Sequence, residues 1–362
     1  MTSAERIAVI GTGLMGTSIA MAAVRAGDPV RGFDVDAEVL SRAAERSGLV
    51  PSSGLQECVT GSTLVFVCTP IPAVPASVAE VLRLAPKAVV TDVASVKSHV
   101  RLEVEKVAAP SDLARYVGSH PMGGSERSGP DHASASVLDG TVWVVDETAP
   151  AEALERLETW IARVGANAVR LSVERHDRLV AMVSHLPQVA STALMGLAAA
   201  EEAGEPEILL LAAGGFRDLT RLAASNPHMW SDILLANRDA IVRAIDLYVA
   251  RLTGLRDLVA SEASDEVERA FAESKEARLS LAAKPQVKAG VAVLQITVPD
   301  RPGVLAEVTA TMGEAGVNIE DLQIVHSPEG GRGTVHLTVA AGAAGDAERA
   351  LRERWFEPLR LA

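Results

Sequence analysis

From Arg6 to about Leu171 the chain alternates short β-branched runs with stretches whose apolar residues recur at helical spacing. The runs are Ile7 to Ile10, Val30 to Phe33, Leu64 to Cys68, Ala88 to Asp92, Tyr116 to Gly118 and Thr141 to Val145. Alternation of this kind predicts βαβ units and a mostly parallel, doubly wound α/β sheet over residues 1–171. After Leu171 strand-like runs almost vanish, and helical spacing continues to about Leu281, which predicts an all-helical domain over 172–282. Ala282 to Gly290 carries Lys284, Pro285 and Lys288, breaks that pattern and reads as a linker. Strand, helix, strand, strand and helix signals then follow in order, predicting a small α+β domain over 290–362.

Composition agrees with folded domains and narrows the partners. Nearly half of the 362 residues are hydrophobic, enough for packed interiors, while a formal charge of −13 would repel a phosphate backbone or an anionic membrane surface. Neither nucleic acid nor a membrane is therefore expected as a partner. No run reads as long enough to span a bilayer, no export leader precedes the first strand, and Cys58 and Cys68 are too few for a disulfide framework or a zinc site. A cytoplasmic protein is the expectation, with no metal.

Candidate chemistry begins where the first strand ends. Ile7 to Ile10 runs into Gly11-Thr12-Gly13-Leu14-Met15-Gly16 and then a helix to about Ala26. In a Rossmann turn, Gly11 makes the sharp bend, Gly13 lets a pyrophosphate approach the backbone, and Gly16 permits close helix–sheet packing, with the helix N-terminus facing the diphosphate. The second strand ends at Asp34, about twenty residues on, where a carboxylate can accept ribose hydroxyls and repel a 2′-phosphate. NAD is the predicted cofactor, bound by Gly11, Gly13, Leu14, Met15, Gly16 and Asp34, with Thr69 and Pro70 on the same rim.

Two further segments fall at strand ends on that rim: Asp92-Val93-Ala94-Ser95-Val96-Lys97 and Gly118-Ser119-His120-Pro121-Met122-Gly123-Gly124-Ser125-Glu126-Arg127-Ser128-Gly129. Oxidation of an alcohol needs a group that takes the hydroxyl proton as hydride departs, and histidine is the usual one near neutral pH. His120, at a strand end beside a proline, is the candidate. Together with His176-Asp177, Ser184-His185-Leu186-Pro187, Gly215 to Arg221 and Met229 to Ile233, these segments resemble the prephenate and arogenate dehydrogenase family over about the first 280 residues.

That resemblance implies oxidative decarboxylation of prephenate, or of its amino analogue arogenate, on the route to tyrosine. It assigns His120 to the substrate hydroxyl, Ser95 beside it, and Arg221 to the retained carboxylate, where a guanidinium pairs bidentately. It places Ser125, Glu126, His185 and Gln188 around the substrate. For Ser95 a second reading, a hydroxyl capping the next helix, stays open, as does an Arg221–Asp218 surface pair. Many family members have histidine where this chain has Gln188, which bears on the choice between the keto acid and the amino acid. His176 and His185 are nine residues apart, on roughly opposite faces if one unbroken helix carries both.

Leu294 to Asp300, Arg301-Pro302-Gly303-Val304-Leu305, a helix to Gly316 and Val317-Asn318-Ile319 resemble an ACT domain, implying a tyrosine effector near Asp300, Gly303 and Asn318 and favouring an oligomer. The apolar stripe Leu179, Val183 and Leu186 would be buried in the helical domain's own core or against a second copy, giving a homodimer. Two rivals are weighed. A 6-phosphogluconate-like or hydroxyisobutyrate-like dehydrogenase would need a lysine in its helical domain, and residues 173–274 contain none. A catalytically silent amino-acid sensor would not need His120 and Arg221.

Overall fold

The computed structural model describes residues 4–123, 128–202, 204–205, 207–283, 291–299, 301–326 and 332–361. They fall into two compact units, Met1–Glu262 and Ala263–Ala362.

The first unit begins with an eight-stranded sheet. Its strands are β1 (Ile7–Ile10), β2 (Val30–Phe33), β3 (Val50–Pro51), β4 (Leu64–Val67), β5 (Val89–Asp92), β6 (Tyr116–Pro121), β7 (Val142–Asp146) and β8 (Asn167–Leu171), in the order β3-β2-β1-β4-β5-β6-β7-β8. All neighbours are parallel except β6 and β7. β1, β4 and β5 are buried along their whole length, which is why they read as continuous apolar runs. Helices cover both faces and create two cores, one built on Ile7, Val9, Phe66 and Trp143, the other on Ala8, Ile10, Val65 and Val67. The strand order reverses between β1 and β4, and the crevice beyond their carboxyl ends is where such sheets take ligands.

Two details depart from the sequence reading. β3 and β8 carry little apolar signal, since one is two residues long and both lie at sheet edges. β6 runs through to Pro121 rather than ending at Gly118, because its antiparallel ladder with β7 pairs His120 with Val144. His120 is thus held in a strand, not a loop.

Helices follow from Val173. Val173–Val180 passes into a π-turn, Ala181–His185, and on into Leu186–Glu201. Gly214–Thr220, a 3₁₀ turn Arg221–Ala224, Pro227–Ala236 and the long Arg238–Ala260 complete the region. Its own core is small: Ala181, Leu186, Ile241 and Ala244. Leu186 is buried as expected, but Leu179 and Val183 from the same stripe are exposed. The expectation that no apolar stretch reaches membrane-spanning length needs correction, because Val173–Glu201 does so by length and composition. One face of its first half packs inside the protein, where His176, Asp177, His185 and Gln188 are all buried with protein partners.

The second unit starts with the helix Ser264–Ala283 and contains an antiparallel sheet of β9 (Val291–Pro299), β10 (Ile319–His326), β11 (Arg332–Ala340) and β12 (Leu359–Leu361), in the order β10-β11-β9-β12. The helices Val304–Glu314 and Ala344–Glu353 bury Val308, Met312, Ala347 and Leu351 in one core with Leu294, Ile296 and Leu337 of the sheet. Gly303 stands at the start of the first helix with φ +89°, a conformation glycine adopts without steric cost. Asn318 is exposed, one residue before β10, and its amide donates to Glu320 (3.1 Å). Asp300 lies outside the described residues.

Candidate active site

The glycine turn has the shape a diphosphate requires. Gly11 has φ +87°, and a Cβ there would lie 2.7 Å from the Cys68 carbonyl oxygen. At Gly16 a Cβ would lie 2.0 Å from the Gly11 carbonyl, so only glycine lets the helix Leu14–Arg25 seat this close to β1. Around Gly13 there is nothing within 4 Å, which is the open side. No side chain caps the helix, leaving the N–H groups of its first turn, including those of Leu14 and Met15, available to an anion.

Asp34 is anchored toward this turn. One carboxylate oxygen accepts from Thr12 N (2.6 Å) and Thr12 Oγ1 (3.2 Å), the other from Asp36 N (3.0 Å). With roughly four acceptor positions on a carboxylate, one stays open for a ribose hydroxyl. Thr69, after β4, has a buried hydroxyl with no hydrogen-bond partner among the described residues, and Pro70 is exposed beside it. A bound dinucleotide would supply that partner, so these residues fit the group expected of them.

The chemical groups lie further along the same rim. Asp92, at the end of β5, is fully buried and ion-paired with Lys97, whose Nζ also donates to the Ser119 carbonyl (2.7 Å). Tyr116 donates its hydroxyl to the other Asp92 oxygen (2.7 Å). This buried cluster locks the β5 turn carrying Ser95 to strand β6 carrying His120. Helix Ser98–Val107 is capped from the helical region, since Asp177 accepts from Lys97 N and Ser98 N at 2.8 Å each. The cap is therefore Asp177 and not Ser95, which sits half-buried in the turn.

His120 Nδ1 lies 2.9 Å from His176 Nε2, and His176 Nδ1 lies 2.8 Å from Asp177. Burial first, then electrostatic interactions with His176, Lys97 and His185, hold the His120 imidazole well below its ordinary pKa. It is thus neutral, with a lone pair for a proton, across the physiological range. Burial pushes Asp177 upward, but hydrogen bonds from His176, Lys97 N and Ser98 outweigh it and keep the carboxylate ionised.

His185 joins this group against the helical-wheel expectation. Nine residues at about 100° each place two side chains on opposite faces, but the π-turn Ala181–His185 takes up an extra residue and rotates the helix beyond it by about 100°. His185 is accordingly coupled to both Asp177 and His176, and burial lowers it to about 4. Its Nδ1 lies 3.2 Å from the Asn237 amide, and its ring meets Trp230 edge-on at 5.9 Å.

Gln188, one turn on, is buried and already engaged. Its amide donates to the Leu222 carbonyl (2.8 Å), tethering the turn Arg221–Ala224. Arg221 itself is exposed on that turn. Ser125 and Glu126 lie outside the described residues. Sequence reasoning singles out His176-Asp177 and the Asp92…Lys97 pair without giving either a role; the signal is their presence inside motifs whose partners lie far away in sequence.

Comparison with known proteins agrees with this geometry. Residues 19–170 match the family described as prephenate dehydrogenase, nucleotide-binding domain, and residues 172–273 match prephenate dehydrogenase, dimerization domain. The chain belongs to the prephenate dehydrogenase family. Residues 292–354 match the ACT domain. Prephenate dehydrogenase of Bacillus subtilis is 30% identical over 348 residues, covering 92% of each chain. Among solved structures, prephenate dehydrogenase of A. aeolicus in complex with hydroxyphenyl propionate and NAD+ is 26% identical with TM-score 0.72, covering 77% of this chain and 99% of that one. Synechocystis arogenate dehydrogenase is 27% identical with TM-score 0.65, covering 76% and 99%. In the prephenate dehydrogenase family the doubly wound sheet is thus the nucleotide-binding domain, and the helical region is the dimerization domain.

Proposed function

We propose that this chain is an NAD-dependent prephenate dehydrogenase that converts prephenate to 4-hydroxyphenylpyruvate and carbon dioxide, working as a cytoplasmic homodimer. The observation that carries the reading is a neutral, half-buried His120 beside the nucleotide crevice, with its Nδ1 face taken by His176 and its other nitrogen without a partner among the described residues.

When bound, NAD supplies the acceptor for the hydride that leaves the hydroxyl-bearing ring carbon. His120 takes the hydroxyl proton as that carbon becomes a carbonyl. The ring carboxylate then leaves as carbon dioxide, its bonding pair enters the ring, and the carbonyl oxygen becomes a phenolate. His120 returns the proton to that oxygen, so the proton is borrowed and none is released. Arg221 pairs with the side-chain carboxylate that is retained, and Ser95 steadies the hydroxyl against His120. Ser125 and Glu126 are assigned to the substrate pocket by family resemblance. His185 closes the pocket beside Trp230.

The domains run over 1–171, 172–282 and 290–362. Exposed Leu179, Met182, Val183 and Leu197 on the helical region supply a face for a second copy. In the ACT domain, Gly303 and Asn318, with Asp300, are assigned to a tyrosine effector. Arogenate is the alternative substrate, and Gln188, standing where many family members have histidine, bears on the choice between the two. The deciding assay follows NADH formation with prephenate and arogenate side by side and identifies the aromatic product. Hydroxyphenylpyruvate from prephenate supports the reading, tyrosine from arogenate reassigns the substrate, and turnover of neither removes the enzymatic function.

A further inference from the structure

The hydrogen bonds around His120 have a direction, and that direction starts from Asp177. Both carboxylate oxygens of Asp177 accept backbone N–H groups of the other domain, from Lys97 and Ser98. An ionised carboxylate can only accept. The contact at 2.8 Å therefore requires a proton on His176 Nδ1. With its Nδ1–H committed to Asp177, His176 turns Nε2 toward His120 as the acceptor, and the 2.9 Å contact then takes its proton from His120 Nδ1. Neutral His120 is left with its lone pair on Nε2, the nitrogen that faces away from His176. His176 and Asp177 are 1% and 4% exposed, so water does not compete for these bonds.

We propose that His176 and Asp177 are positioning residues which fix the tautomer of His120, so that the nitrogen presented to substrate is always the basic one. The rings meet edge-on, with centroids 5.1 Å apart and planes at 78°, which also fixes the rotation of the His120 ring. When His120 Nε2 takes the substrate's hydroxyl proton, the O–H bond breaks, an N–H bond forms, and the imidazolium is stabilised through His176 by the Asp177 carboxylate. Reprotonation of the phenolate reverses the transfer, so atoms and charge balance within the cycle. The chain also gives the π-turn neighbourhood a purpose: Asp177 caps a helix of the nucleotide-binding domain and sets the base with the same carboxylate, so correct docking of the two domains and correct protonation of His120 are one event.

This inference rests on His120 being the base, and the test separates the two claims. The full-length protein, labelled with ¹⁵N-histidine, is examined by long-range ¹H–¹⁵N correlation, with the His120→Ala variant identifying the His120 signals among the eight histidines. Wild type is expected to show the Nδ1–H tautomer at His120. His176→Ala should leave a mixture of tautomers and lower kcat about a hundredfold, within the range of a general-base contribution, while KM for prephenate changes little. His176→Gln, whose side-chain oxygen can accept at the position of Nε2, should keep the Nδ1–H tautomer and recover about tenfold of that loss. An Nε2–H tautomer at His120 in the wild type, or unchanged kcat in a folded His176→Ala, overturns the positioning role. If His120→Ala itself keeps full turnover, it is the assignment of the base that falls.

Discussion

The nucleotide-binding and helical regions of the first unit bury their apolar residues in opposite ways. The sheet closes two apolar cores on itself, one on each face. Among its described residues the helical region gathers one small core cluster, Ala181, Leu186, Ile241 and Ala244, and leaves Val183, Leu197, Leu235, Leu247 and Val259 mostly exposed. A fully buried aliphatic side chain contributes about 1.5–3 kcal/mol, so the helical region forgoes a stabilisation that only a further surface can supply. One region hides its apolar side chains and the other leaves many of them exposed. Where they meet, the contact is polar: Asp177 on the Lys97 and Ser98 amides, and His176 on His120.

Attacking that polar seam should have the largest consequences. His120→Ala is expected to lower turnover by roughly two to four powers of ten, with NAD affinity measured by fluorescence titration unaltered; a variant of undiminished kcat would remove it from the chemistry. Lys97→Met leaves the buried Asp92 carboxylate with the Tyr116 hydroxyl and the Ala94 N–H but no cation beside it, and should cost about 3–5 kcal/mol in denaturant unfolding. A loss near zero would mean that the buried pair contributes nothing to stability.

Changes confined to one region should then sort themselves by which partner they lose. Leu197→Glu combined with Leu247→Glu places charge on the exposed helical face, and sedimentation should show half the mass while NAD binding persists. An unchanged mass would put the second copy elsewhere. Lowering the pH discriminates more gently. His185 binds its proton at about 4 when folded but near 6.5 when unfolded. Below 6.5 the unfolded chain therefore holds the extra proton, and the stability present above that pH declines as it falls toward 4. The melting temperature should follow that slope, and His185→Gln should flatten it. Gln188→Ala is the mildest change: freed from the Leu222 carbonyl, the Arg221 turn loosens, and KM for prephenate should rise a few-fold with kcat almost intact.

The regions also differ in how plainly their sequences speak. Gly11, Gly16 and Asp34 are legible because each acts through backbone geometry within some twenty-five residues, and such geometry leaves a fixed spacing. β3 and β8 are not, because edge strands of little apolar content leave hardly any period to detect. His120 is legible as the chemical group, but its place inside β6 depends on pairing with β7, more than twenty residues away. Gln188 is assigned to the substrate from its neighbours in the motif, while its amide is engaged by a carbonyl thirty-four residues downstream. His185 falls on the wrong face of a helical wheel because regular periodicity has no symbol for a π-turn.

That turn has a bearing on how such a pocket is transferred to another scaffold. Nine residues of straight helix amount to two and a half turns, which would point two imidazoles apart whatever residues lay between. Eight residues of straight helix, or nine with the bulge, bring them within about 80° of each other. A graft onto an idealised helix must therefore drop one position between His176 and His185 rather than copy the spacing, and an alignment that matches these histidines without a gap would misplace every side chain from Leu186 onward by the same angle.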